Sequence, residues 1–171
     1  MFDIKMILMD VDGVLTDGRI VVDDNGKEYK FFDVKDGHII HLAMDLGLKI
    51  GWVSGRYSAA TLQRAKELHI DDLYQGHHRK LDAIKAISKK HAIEPSKMAF
   101  IGDDLVDIPP MVVCGYSAAP SDAVDEVKRV ADYVSAYPGG RGAVRDIMEH
   151  ILKKLGLWER VLEKYLINAE L

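Results

Sequence analysis

The chain predicts an α/β fold, a doubly wound open parallel sheet with helices on both faces, and three observations carry that prediction. Short apolar runs of strand length alternate with stretches whose apolar residues recur at helical spacing. Alternation of this kind builds parallel strands through crossover helices. Three of the strands end in small polar sets, Asp10-Val11-Asp12-Gly13, Ser54-Gly55-Arg56 and Gly102-Asp103-Asp104. Finally, the 171 residues are 48% apolar and 29% charged, which supports a sizeable core and excludes a disordered or low-complexity chain.

Residues 4–11 (IKMILMDV) run straight into Asp12-Gly13, as a buried strand ending in a tight turn does. Residues 19–32 read as a β-hairpin insertion. Ile20-Val21-Val22 and Tyr29-Lys30-Phe31-Phe32 flank Asn25-Gly26, which tolerates the positive φ that hairpin turns need. Ile39, Leu42, Ala43 and Leu46 then fall at helical spacing until Gly47 stops the helix. A buried strand over 48–53, a helix over 59–68, a short strand at Asp72-Leu73-Tyr74 and a helix over 80–91 follow. Glu94-Pro95-Ser96 turns the chain into a strand over 98–101. Next come a helix after Pro109-Pro110, a strand at Tyr116-Ser117-Ala118, a helix from Asp122 and a short strand near Tyr133. Two helical stretches follow Gly139-Gly140-Arg141-Gly142. Nothing reads as an interdomain linker, so residues 1–171 are expected to form one domain with a helical tail over 156–171.

Charge and cysteine content narrow the function classes. Twenty-three basic and 27 acidic residues give a net charge of −4, with no basic excess to hold nucleic acid or an anionic membrane. The lone Cys114 excludes an intrachain disulfide and a cysteine-cluster zinc site, and reads as apolar filler. No apolar run approaches the roughly 18 residues of a membrane span, and nothing after Met1 has the pattern of a secretory leader. A soluble, cytoplasmic chain is the expectation.

In an open parallel sheet, ligands bind beyond the carboxyl ends of the strands. Asp10, Asp12, Ser54, Lys80, Asp103 and Asp104 should therefore converge from distant segments. Four carboxylates in a small volume repel unless a cation compensates them. Hard oxygen donors with open positions suit Mg²⁺. Ser54, Lys80 and the amides beside Gly13 and Gly55 suit a phosphoryl group. Together these parts describe phosphoryl transfer, with Asp10 as nucleophile and Asp12 as general acid and base. Arg56 is a candidate fork for a substrate carboxylate. His77-His78 reads as solvated loop, Arg141 as a rim residue available to substrate, and the stripe Leu155, Leu157, Trp158, Val161, Leu162, Tyr165 as core or subunit contact.

Asp10-Val11-Asp12-Gly13-Val14-Leu15-Thr16-Asp17, Ser54-Gly55-Arg56, Lys80 and Gly102-Asp103-Asp104-Leu105-Val106-Asp107 resemble, in order, the four motifs of the haloacid dehalogenase-like phosphatases. The Asn25-Gly26 hairpin, Asp36-Gly37, Tyr74-Gln75-Gly76 with Lys80-Leu81, and Gly139-Gly140-Arg141-Gly142-Ala143-Val144-Arg145 are similar to the small, cap-less branch that includes the 3-deoxy-D-manno-octulosonate 8-phosphate (KDO 8-phosphate) phosphatases. The resemblance implies a Rossmann-type three-layer α/β/α fold with the hairpin in place of a cap. It implies Mg²⁺ held by Asp10, Asp103 and the backbone carbonyl of Asp12, with Asp104 and Asp107 in supporting positions. By the same resemblance Ser54 and Gly55 bind phosphate, Lys80 steadies the nucleophile, and the ester is cleaved through an aspartyl phosphate. The substrate would be a sugar-acid phosphate. Arg56 points to KDO 8-phosphate over a nine-carbon sialic-acid-type 9-phosphate, whose branch carries glutamate there. The resemblance further implies a homotetramer whose hairpins close one another's sites, with Ile20, Val22, Phe31 and Phe32 supplying the apolar contact. From a different class, a receiver-like phosphoacceptor domain would share the acidic residues and the lysine but lack the spacing of Asp10 and Asp12.

Overall fold

A computed structural model describes residues 2–76 and 79–166. The strands are β1 (Met6–Met9), β2 (Val21–Val22), β3 (Glu28–Tyr29), β4 (Lys49–Val53), β5 (Asp72–Tyr74), β6 (Met98–Ile101), β7 (Tyr116–Ala119) and β8 (Tyr133–Val134). The helices are α1 (Val34–Asp45), α2 (Ala59–Glu67), α3 (Lys80–His91), α4 (Ile108–Val113), α5 (Asp125–Val130), α6 (Ala143–Lys154) and α7 (Trp158–Leu166). Six strands pair in the order β5-β4-β1-β6-β7-β8, every pair parallel, while β2 and β3 form a separate antiparallel ribbon.

Strand β1 shows why the sheet needs helices on both faces. Its side chains alternate: Ile7 and Met9 enter a core with α1 and α6 residues, including Ile39, Ile40, Val144 and Ile147. Met6 and Leu8 enter the opposite core with Ile84 and Ile87 of α3, Met111 of α4 and Val127 of α5. A strand buried on both faces reads as a continuous apolar run, as MILM does. Truncating Leu8, which has no exposed surface, would remove about 3 kcal/mol.

Several local details differ from the sequence expectations. Helix α4 begins at Ile108, before the two prolines rather than after them, because first-turn N–H groups have no partner within the helix and proline loses nothing there. The hairpin is paired only at Val21↔Tyr29 and Val22↔Glu28. Its turn is closed by Asp23 Oδ1, which accepts from the N–H groups of Asn25 (3.0 Å) and Lys27 (2.9 Å). Phe32 lies past the paired residues and turns inward, its ring stacked on Trp52 at 6.3 Å between centroids. It is therefore committed to the core and withdrawn from the expected contact surface, whereas Ile20, Val22 and Phe31 are exposed.

The loop before α6 docks onto the loop after β1. The Gly140 N–H donates to the Val14 carbonyl at 3.0 Å. A Cβ at Gly139 would lie 1.8 Å from the Gly13 carbonyl oxygen, so only glycine permits this approach. Gly142, at the N-cap of α6, has no capping side chain. Asp36 of α1 supplies one instead, its Oδ1 accepting the Arg145 N–H at 2.7 Å. Arg141 lines a cleft with Lys35, Tyr137 and Arg145.

In the terminal stripe, Val161 is buried and Leu155, Leu157 and Trp158 pack on the core, while Leu162 and Tyr165 are exposed. Cys114 is buried, and burial pushes its thiol up to about 12. His77, His78 and Asn168-Ala169-Glu170-Leu171 lie outside the described residues. Among the described residues no helix is long and apolar enough to cross a membrane.

Candidate active site

The loops that leave the carboxyl ends of β1, β4 and β6 begin as continuations of the sheet, and this places their polar residues. The Asp10 N–H donates to Ile101 (3.0 Å), that of Ser54 to Tyr74 (2.8 Å) and that of Gly102 to Ala118 (3.1 Å), each to a backbone carbonyl. Asp10, Asp12, Ser54, Gly55, Arg56, Lys80, Asp103 and Asp104 consequently line one cleft of about 280 Å³. Asp107 lies fully buried in contact with Lys80. The expected convergence of distant segments is thus present for all nine residues.

The buried part of the site is acidic. Lys80, the first residue of α3, places Nζ 2.7 Å from Asp10 Oδ2 and 2.5 Å from Asp107 Oδ1. Burial opposes its charge, but the carboxylates of Asp10 and Asp107 outweigh that cost and raise its pKa. Burial, with the charge of Asp107 added, pushes Asp10 up to about 6 against the pull of Lys80. Asp103 is pushed up to about 8 by burial, then by Asp107 and Asp10.

Asp10, Asp103 and Asp107 each present an oxygen within 4.8 Å of the others. Fully ionised, three carboxylates around one ammonium would leave two negative charges without a partner. The three are not equivalent. Asp107 is satisfied, giving Oδ1 to Lys80 and accepting at Oδ2 from the N–H groups of Asp103 (3.0 Å) and Asp104 (3.3 Å). Asp103 Oδ1 is buried and has no hydrogen-bond partner. A buried, unpartnered carboxylate oxygen beside two further carboxylates fits a hard divalent cation such as Mg²⁺.

Gly13 keeps this geometry possible. It has φ +90°, and a Cβ there would stand 2.0 Å from Asp103 Oδ2. Asp104, by contrast, is exposed and stands outside the cluster, capping the short turn Leu105–Asp107 by accepting the Leu105 N–H at 2.7 Å.

On the hairpin side the charges are different. Lys30 Nζ contacts Asp12 Oδ1 and lies 3.5 Å from Glu28 Oε1, with the lysine side chain only 1% exposed. Arg56 reaches Glu28 Oε2 at 2.5 Å, and its Nη1 is 4.0 Å from Asp12 Oδ2. A hydrogen bond from Ser58, then the cations of Lys30 and Arg56, hold the Glu28 carboxyl below its ordinary range. Ser54 Oγ is buried, donating to the Arg56 carbonyl at 3.0 Å and accepting from the Arg56 N–H at 3.2 Å, which closes the turn. Lys30 and Glu28 were not among the residues the sequence pointed to. Their i, i+2 spacing puts them on one face of a ribbon, a signal that carries no information on where that face looks.

Comparison with known proteins agrees with this geometry. A family model for haloacid dehalogenase-like hydrolases matches residues 69–147. The chain is 40% identical over 154 residues to the 3-deoxy-D-manno-octulosonate 8-phosphate phosphatase of Escherichia coli strain K12, covering 90% of this chain and 82% of that protein. The structure of the Moraxella catarrhalis 3-deoxy-D-manno-octulosonate 8-phosphate phosphatase, in complex with magnesium, phosphate and KDO, matches with a TM-score of 0.92 and 37% identity. That likeness covers 95% of this chain and 93% of the other. The cobalt-bound Haemophilus influenzae phosphatase matches with a TM-score of 0.88 and 38% identity over 91% of each chain.

Proposed function

The chain belongs to the haloacid dehalogenase-like hydrolases, in the cap-less KDO 8-phosphate phosphatase branch, and on that footing we propose that it hydrolyses KDO 8-phosphate to KDO and inorganic phosphate. The observation that carries the proposal is the buried set Asp10, Lys80, Asp107 and Asp103 opening into a cleft whose other wall is Arg56. Three carboxylates to one fixed ammonium, one of them with a bare oxygen, suit a phosphate ester and its divalent counter-ion.

Asp10 is the nucleophile. Lys80 and the Val11 N–H, the latter 2.7 Å from Oδ1, hold its carboxylate in one orientation. Asp10, Asp103 and the backbone carbonyl of Asp12 would hold Mg²⁺, which supplies positive charge to offset the repulsion between carboxylate and phosphate. Ser54 and the Gly55 amide take phosphoryl oxygens. Asp10 attacks phosphorus, the bond to the sugar oxygen breaks, and Asp12 gives that oxygen its proton. The resulting aspartyl phosphate is attacked by water, from which Asp12 takes a proton, and phosphate leaves with Asp10 regenerated. Asp107 keeps Lys80 in place throughout. Arg56, partly exposed at the rim, takes the sugar carboxylate.

The activity belongs to the cytoplasm in this reading, and a homotetramer covers the site. The exposed Ile20, Val22 and Phe31 of a two-residue ribbon provide the contact, since such a ribbon is marginal alone in water. Phosphate release from KDO 8-phosphate and from a nine-carbon sugar-acid 9-phosphate, each with Mg²⁺ and with EDTA, tests the proposal. The expected result is a kcat/KM about 10-fold or more higher for the eight-carbon ester, abolished by EDTA. Preference for the nine-carbon ester would overturn the substrate, and inertness toward both would overturn the reading. Sedimentation of Phe31→Ser against the unaltered chain tests the assembly, with a shift to smaller species expected.

A further inference from the structure

We infer that Lys30 of the hairpin is a positioning residue for proton transfer, anchoring one oxygen of Asp12 so that the other is presented to the leaving group. The inference rests on the reading of Asp12 as the general acid and base.

Lysines rarely lose all contact with water, because burying an ammonium is costly unless a carboxylate receives it. Lys30 is nevertheless 1% exposed, and its ammonium sits on Asp12 Oδ1. Its second anion, Glu28 Oε1, is more distant at 3.5 Å. Glu28 in turn is held by Arg56 and by Ser58, the N-cap of α2. The ribbon carrying Lys30 is thereby tied to the body of the sheet on the same side as Asp12.

The two oxygens of Asp12 consequently have different surroundings. Oδ1 is taken. Oδ2 has Arg56 Nη1 at 4.0 Å, beyond hydrogen-bond reach, and the residue lines the cleft. Asp12 is also the more exposed of the paired aspartates, at 22% of its side chain against 10% for Asp10. A carboxylate so placed would otherwise rotate among hydrated orientations. Proton transfer needs the donor oxygen within about 3 Å of the leaving oxygen, so a fixed rotamer contributes directly to rate.

Lys30 touches no reacting atom in this scheme, so its signature is a dependence on the leaving group. The sugar alkoxide needs a proton as it departs; p-nitrophenolate does not. Steady-state kinetics of Lys30→Met and Lys30→Arg are compared with the unaltered chain on KDO 8-phosphate, on an alkyl phosphate lacking a carboxylate, and on p-nitrophenyl phosphate.

Lys30→Met is expected to lower kcat/KM, which reports phosphoryl transfer up to departure of the leaving group and not the shared hydrolysis of the aspartyl phosphate, about 100-fold or more on both alkyl esters and less than about 10-fold on the aryl ester. Lys30→Arg should recover most of the alkyl-ester kcat/KM, which also answers a failure of Lys30→Met to fold. An equal loss of kcat/KM on alkyl and aryl esters would overturn the inference. So would a loss confined to KM for the carboxylate-bearing ester, which would make Lys30 a substrate ligand. An unaltered chain inactive on all three esters would instead overturn the functional reading, and this inference with it.

Discussion

The charges beneath the cleft and those on its hairpin side differ in how they balance. Beneath, Asp10, Asp103 and Asp107 share the single ammonium of Lys80. On the hairpin side, Asp12 and Glu28 face Lys30 and Arg56, two against two. Like charges about 4 Å apart cost roughly 4 kcal/mol at an effective dielectric constant of 20, a large share of the roughly 5–15 kcal/mol that stabilises a whole domain. The lower group therefore cannot ionise fully by itself, and the protein retains it because a ligand completes it. The upper group is balanced without a ligand and holds Asp12 in place, with Arg56 alone at the rim and offered to substrate in the proposed reading. A deficit of charge marks where something must bind, and a balance marks where the protein positions a side chain.

The largest effect on this contrast is expected at Asp10, the proposed nucleophile. Asp10→Asn should lower kcat by about 10⁴-fold or more in a phosphate-release assay, while the hairpin charges remain paired. Lys80→Met comes next, since it leaves three buried carboxylates with no cation. Urea unfolding in EDTA should show a loss of about 3 kcal/mol, and Mg²⁺ should restore part of it. Asp103→Asn should act in the opposite sense, raising the metal-free unfolding midpoint while abolishing the rise that Mg²⁺ produces in the unaltered chain.

The pH dependence follows the same logic. Asp10 and Asp103 have ordinary values of 3.8, raised to about 6 and about 8 in the metal-free fold. Between about pH 4 and 8 the folded state therefore binds more protons than the unfolded one, and stability falls as pH rises. The contribution is complete below about pH 4 and gone above about pH 8. Thermal midpoints in EDTA should decline across that window and flatten with Mg²⁺; a flat profile in EDTA would break the contrast. Glu28→Gln is the smallest change. It disturbs a balanced, partly exposed network and should move stability by under about 1 kcal/mol by the same urea measurement.

The lower group was legible in the sequence because two strand-end loops carry its acids, and strand ends in a parallel sheet share one edge. Lys80 came with them only through the order of the motifs. The upper group was half legible. Asp12 and Arg56 lie in strand-end loops, but Lys30 and Glu28 sit on a ribbon paired at two positions per strand, too short for its pleat to be phased from apolar alternation. The same shortness misplaced Phe32, because the chain leaves the ladder at Tyr29 and nothing local indicates that Phe31 then points outward and Phe32 toward Trp52. Asp36 was noticed as part of a segment, but its work as a cap for α6 depends on a contact 109 residues away.

The docking of Gly139 and Gly140 against Gly13 and Val14 bears on when the catalytic machinery can exist during synthesis. The loop that begins at Asp10 leaves the ribosome almost first, yet the backbone it rests on is translated near the end. Until that late segment arrives, the turn at Gly13 and Val14 lacks the backbone packed against it. A nascent chain stalled before residue 139 would hold all eight described strands yet lack the backbone on which the Asp10 loop rests, so competence is expected late, close to release.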